Sequence, residues 1–167
     1  MTTSLAGSLK VALSTTLTNT SDLEVVNSLL GNTTTFTVTN GTGANQSNMQ
    51  FSDTRTTDVS GETLDLAGVL LNAFGVAITF TAIHAIIIKA AAANTLDVVV
   101  GNAVATQFVG PFGAATHTMA VGPGQMWMIT NFSAAGWACT GGSLDNLLIK
   151  ASNTGNVTYD IILIGEV

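Results

Sequence analysis

Residues 76–89, VAITFTAIHAIIIK, restrict what this chain can fold into more than any other stretch. In the first half Val76, Ile78 and Phe80 alternate with Ala77, Thr79 and Thr81, the period of a strand with one face on a core. From Ile83 onward Ile83, Ala85 and Ile87, then Ile86 and Ile88, fill both faces, as in a strand covered on two sides. Such a β-branched run loses χ1 freedom in a helix, and Lys89 closes it short of the ~20 apolar residues a membrane span needs. The stretch predicts a central strand around which the other segments stack.

Those segments are short and separated by turn signals. Leu9, Val11 and Leu13 alternate with Lys10 and Ala12, which predicts a strand over residues 8–18. The threonines that follow favour it over the helix that the spacing of Leu5, Leu9 and Leu13 would also allow. Asp22 is read as the cap of a short turn carrying Leu23, Val25 and Val26 up to Leu30, ended by Gly31. Phe36 and Val38 point inward from a strand over 33–39, and Asn40-Gly41 turns it. Residues 41–48 read as an exposed loop. An extended segment begins at Met49, turns at Ser60-Gly61 and continues as a short strand over 63–66. Leu66, Val69, Leu70 and Ala73 then fall at helical spacing, with Asp65 as cap and Gly75 beyond the end, which predicts one helix of about two turns. Further strands are expected near 96–100, 106–109, 116–121, 126–130, 136–140, 144–150 and 157–164. The clearest turn is Gly122-Pro123-Gly124, where proline presets the first corner and Gly124 supplies the positive φ of a type II turn. Asn153-Thr154-Gly155-Asn156 reads as a hairpin turn into the last strand. About ten short strands with one brief helix predict an all-β fold, a jelly-roll-like β-sandwich. The expected organisation is a single domain over residues 1–167, with an extended contact arm within 1–50.

Composition bears on function. Charged residues make up 8% of the 167, against ~25% in an ordinary soluble domain, while 47% are hydrophobic and mean hydropathy is +0.49. Such a surface suits a chain covered by copies of itself or by a larger partner. The net charge is −6 and the four basic residues, Lys10, Arg55, Lys89 and Lys150, are scattered, so phosphate neutralisation is not expected and nucleic acid is excluded as a partner. No secretory signal or membrane span is read in the sequence, and a cytoplasmic origin is expected. The single cysteine, Cys139, lies near Trp137 and is expected as a small buried apolar residue.

No motif for chemistry emerges. His84 and His117 lack companions at metal-ligand spacing; His84 is expected to be a strand residue facing an edge or an interface, and His117 to be exposed. Asp53, Asp58, Glu62 and Asp65 are not obliged by spacing to meet, whether as a glycosidase pair or as a calcium site. Gly41-Thr42-Gly43 and Gly122-Pro123-Gly124 lack the helix and lysine of a phosphate loop, and no serine has a nucleophile setting. The chain is therefore expected not to be an enzyme and to use no cofactor or metal.

Taken together, GTGANQSNMQFSDTRT (41–56), DLAGVLLNAFG (65–75), GPFG (110–113), VGPGQ (121–125) and VTYDIILIG (157–165) resemble small virion proteins of tailed bacteriophages. The likeness covers most of the chain and is greatest to head decoration, or cement, proteins. It implies a jelly-roll homotrimer on the outer capsid surface, with the major capsid protein as partner and no part for nucleic acid or membrane. On that reading the N-terminal strand and the 41–48 loop touch the shell, with Leu9, Val11, Leu13 and Phe36 as anchors. A carbohydrate- or receptor-binding module of a phage tail or fibre is the alternative, and it requires a groove lined by aromatics such as Trp127, Trp137 or Tyr159.

Overall fold

A computed structural model describes residues 4–167. It contains eleven strands: β1 (Gly7–Thr20), β2 (Val25–Val38), β3 (Met49–Thr57), β4 (Glu62–Asp65), β5 (Ala82–Ala90), β6 (Val98–Gly101), β7 (Thr118–Val121), β8 (Met126–Thr130), β9 (Trp137–Ala138), β10 (Asn146–Ala151) and β11 (Val157–Glu166). The architecture is all-β, and every ladder between these strands is antiparallel. One sheet has the order β4-β10-β6-β7, a second the order β3-β11-β5-β8 with β9 also on β5, and β1 and β2 form a third sheet alone.

One apolar cluster draws on both larger sheets: Phe51, Ile86, Ile88, Ile161 and Leu163 from one, and Leu64, Val98, Val100, Leu147 and Ile149 from the other. Alternation explains the contribution of β11, where Val157, Tyr159, Ile161 and Leu163 are buried and the residues between them are not. In β5, Ile86 pairs with Leu163 and Ile129 on the core side, while Ile87 pairs with Ile162 and Met128 on the outer face. Near the end of the β5–β11 ladder the register shifts between Ile164 and Gly165, a bulge. A side chain at Gly165 would collide with the Ala82 carbonyl oxygen and the Phe80 ring, so only glycine lets the strand pass there.

Several sequence expectations need correction. The helix over residues 65–75 is absent, and among the described residues there is no helix, hence none long and apolar enough to cross a membrane. Asp65 Oδ1 accepts from the Ala67 amide at 3.0 Å, closing a tight turn of the kind Asp favours, and Asn72 Oδ1 does the same for Phe74 and Val76 at 2.9 and 3.0 Å. These side-chain bonds offer the backbone an alternative to the weak, Gly68-interrupted helix. The central strand begins at Ala82, and of the alternating residues before it Ile78 and Phe80 are buried while Val76 is exposed. Asp22 caps nothing helical, because β2 starts at Val25 and runs through Gly31. Residues 106–109 keep only a bridge from Gln107 to Asn146, and 136–140 yield the two residues of β9 and a bridge from Thr140 to Leu144. The turn before β11 joins strands of different sheets rather than a hairpin. The Gly122–Gln125 turn is as expected: the Gln125 amide donates to the Gly122 carbonyl at 2.9 Å, and Gly124 has φ of 72°.

Candidate functional site: a projecting β-arm

β1 and β2 pair over fourteen residues each, from Gly7↔Val38 to Thr20↔Val25. The Ser21 amide and hydroxyl both bond the Glu24 carbonyl, at 2.9 and 3.0 Å, and close the far end. At ~3.3 Å per residue the ribbon is about 46 Å long. Its sequence explains its extension, since Val, Leu and Thr dominate and Lys10 is its single charge.

The pairing register sorts the side chains onto two faces. Leu9 with Phe36, Val11 with Thr34, Leu13 with Asn32, Thr15 with Leu30, Leu17 with Ser28 and Asn19 with Val26 share one face. Lys10 with Thr35, Ala12 with Thr33, Thr16 with Leu29, Thr18 with Asn27 and Thr20 with Val25 share the other. The first face carries an apolar stripe along its whole length. At the root this stripe is covered: Val38 is buried, Leu9 and Phe36 are half-buried, and the Phe36 ring stands 5.7 Å from that of Phe132. Beyond the root every side chain of both strands is exposed. Among the exposed residues Leu17, Leu29 and Leu23 reach 75, 80 and 100%.

The root itself is firmly built. The Leu5 amide donates to Asn40 Oδ1 at 3.0 Å, the Asn45 amide to the Phe132 carbonyl at 3.0 Å, and the Asn48 amide to the Gly165 carbonyl at 3.1 Å. Asn48 also exchanges two bonds with the backbone of Val167. The 41–48 segment is thus pinned to the body with Ser47 buried, and is not a free loop. Phe132 stacks on His84, whose Nε2 lies 3.0 Å from Glu166 Oε1. His84 is fully buried in this packing, not turned to an edge or an interface as expected, because the Phe132 ring and Glu166 cover it. His117 Nδ1 bonds the Phe112 carbonyl at 2.6 Å and fixes a loop.

Of the four anchors expected from the sequence, Leu9 and Phe36 hold the arm to its own body, whereas Val11 and Leu13 are free on the projecting part. Val26, Leu29 and Leu30 escape a reading of the sequence alone, because residues 22–30 carry the marks of a turn, whereas Leu17 lies within the strand expected over 8–18.

The carboxylates are engaged elsewhere. Arg55 bonds Glu62 through Nε and Asp53 through Nη1, each at 2.8 Å, and the Tyr159 hydroxyl donates to Glu62. The network ties β3 and β11 of one sheet to β4 of the other. Burial opposes the Arg55 charge, but the Glu62 hydrogen bond and charge outweigh it and raise the pKa. Asp58 caps its own turn through the amides of Ser60 and Gly61. Among the described residues no three His, Cys, Asp or Glu side chains gather as metal ligands. Tyr159 is fully buried, so the three aromatics of the carbohydrate reading do not share a surface; Trp127 packs on Phe112 at 5.7 Å beside His117.

Burial pushes the Cys139 thiol up to about 12, with the charges of Asp145 and Asp65 adding to it. Burial, and then the bond to Glu62, also raise the Tyr159 phenol. In both cases the unfolded chain loses its proton first, from the ordinary 9.0 and 10.0. The stability these groups contribute is therefore intact below pH ~9 and falls as pH rises, at about 1.4 kcal/mol per pH unit for each group past its unfolded value. Urea midpoints should drop between pH ~8 and ~10.5, and Cys139→Ala should flatten the drop.

Comparison of the chain with protein-family models, with curated proteins and with solved structures finds no match.

Proposed function

We propose that this chain is a structural virion protein of a tailed phage, a jelly-roll-like β-sandwich that binds the outside of the capsid as a trimer and strengthens the shell. The strand order supports the jelly roll. Taking β3, β4, β5, β6, β7, β8, β10 and β11 as strands one to eight, the sheets read 1-8-3-6 and 2-7-4-5. One pairs with eight, two with seven, three with six and four with five, as when one long antiparallel hairpin is wrapped around a core into two Greek keys.

The observation that carries the function is the arm. A two-stranded ribbon is marginal alone in water, and open apolar edges invite pairing with other chains. A projecting ribbon with one charge in its strands is a device for holding a neutral surface, and each leucine or valine covered there contributes up to ~1.5–3 kcal/mol. Repeated over a symmetric particle, modest contacts sum to firm attachment. The acidic balance and scattered lysines suit the outside of the shell, away from the genome.

Val11 and Leu13 are the shell contacts on this reading. Purified protein should sediment with emptied shells of its phage, and Val11→Asn with Leu13→Asn should lower occupancy at least ~10-fold without moving the melting temperature by more than a few degrees. Wild-type protein that never sediments with shells sinks the proposal.

A further inference from the structure

β7 and β8 are end strands of the two larger sheets, and the Gly122–Gln125 turn joins them, so the sandwich stands open between them. Trp127 and Ile129 pair with Ile88 and Ile86 and point between the sheets, but β8 has no outer neighbour and both stay half-exposed. The loop before β7 leans into this gap. Phe112 is buried there with its ring 5.7 Å from that of Trp127, while Thr116, His117 and Thr118 line the gap and are exposed. The result is a cleft of about 540 Å³, within the range of small-molecule sites.

The cleft is built in advance of any ligand. The Phe112 amide donates to the Val109 carbonyl at 2.9 Å and the His117 amide to the Ala114 carbonyl at 3.1 Å. A side chain at Gly101 would strike the His117 carbonyl oxygen and the Phe112 ring, so the loop is pressed onto the end of β6. A carbonyl only accepts, so the 2.6 Å bond between His117 Nδ1 and the Phe112 carbonyl places a proton on Nδ1 and leaves Nε2 of the neutral ring as an acceptor. Thr116 and Thr118 add hydroxyls, and none of the eight lining residues is an acid, a lysine or an arginine. We infer that the cleft binds a neutral sugar, a pyranose whose apolar C–H face lies on the Trp127 indole and whose rim hydroxyls meet His117 Nε2 and the two threonines. An ionic ligand finds no counter-charge there, and a wholly apolar one leaves His117 Nε2 and the hydroxyls without partners. Trp137 takes no part, because it packs behind the loop, where a Cβ at Gly110 would strike it.

The test uses the full, isotope-labelled chain and follows the indole N–H resonances of Trp127 and Trp137, told apart with Trp137→Phe. Methyl glycosides of glucose, galactose and mannose, and N-acetylglucosamine, are titrated to about 50 mM, because one stacked ring with a few hydrogen bonds binds at about 1–10 mM. At least one of them should shift the Trp127 signal saturably and leave that of Trp137 in place. Trp127→Phe keeps a ring against Phe112 and Thr118→Val keeps strand propensity; each should weaken that sugar by about 3–10-fold without unfolding the chain. Glucuronate should bind less well than glucose. No saturable shift with any of the four sugars, tighter binding of glucuronate, or an affinity that neither substitution lowers overturns the inference. Shells play no part in this experiment, so the virion reading stands or falls separately.

Discussion

Replacing residues 8–37 with a short Gly-Ser linker should leave a protein that still unfolds in one cooperative step, within a few degrees of the full chain, yet no longer coats shells. The expectation follows from where the contacts lie. β1 and β2 pair only with each other, and beyond Leu9, Phe36 and Val38 no side chain of either strand is shielded. The core cluster draws no residue from the arm. Removing it costs the body the Phe36–Phe132 contact, worth about 0.5–1.5 kcal/mol beyond its area, and little else. Binding, by contrast, loses several apolar side chains at once, so affinity should fall by more than ~100-fold. The checks are calorimetry and shell sedimentation on one preparation. Loss of the folded body on deletion would show that the arm belongs to the core.

The second large effect lies in β5. Ile86→Ala should cost about 3–4 kcal/mol and lower the melting temperature by about 8–14 °C, because Ile86 is wholly buried between Leu163 and Ile129 and the cavity cannot collapse. Its neighbour Ile87 points the other way, onto the half-exposed outer face with Ile162 and Met128, and Ile87→Ala should cost about 1 kcal/mol or less. Equal effects from the two would mean that the outer face is also covered.

This contrast shows what the letters could reveal. The density of β5 marked the core and turns such as Gly122–Gln125 marked strand ends, because those signals are local, whereas the apolar residues on both faces of 157–164 suggest a strand filled on two sides and Ile162 is exposed. The false helix at 65–75 also came from local spacing: Leu66 and Leu70 are buried as the pattern implies, but in a turn held by Asp65 and Asn72, and Val69 faces water. The arm was half legible. Its first strand announced itself by alternation, but Asp22 and Gly31 read as punctuation, and nothing in a single sequence tells that residues 25–38 pair with 7–20 rather than join a larger sheet. Which anchors are free and which are tied down depends on Phe132, nearly a hundred residues away in the chain.

The ladder between β3 and β11 joins the body's first strand to its last. During synthesis the ribbon of residues 7–38 is complete and able to zip through neighbouring residues alone, while the body must wait for the final strand to emerge. A two-stranded ribbon alone is marginal, so the nascent arm would settle only when Phe132 and the last strand arrive to seat its root, and until then the growing chain would carry an adhesive segment without a folded trunk.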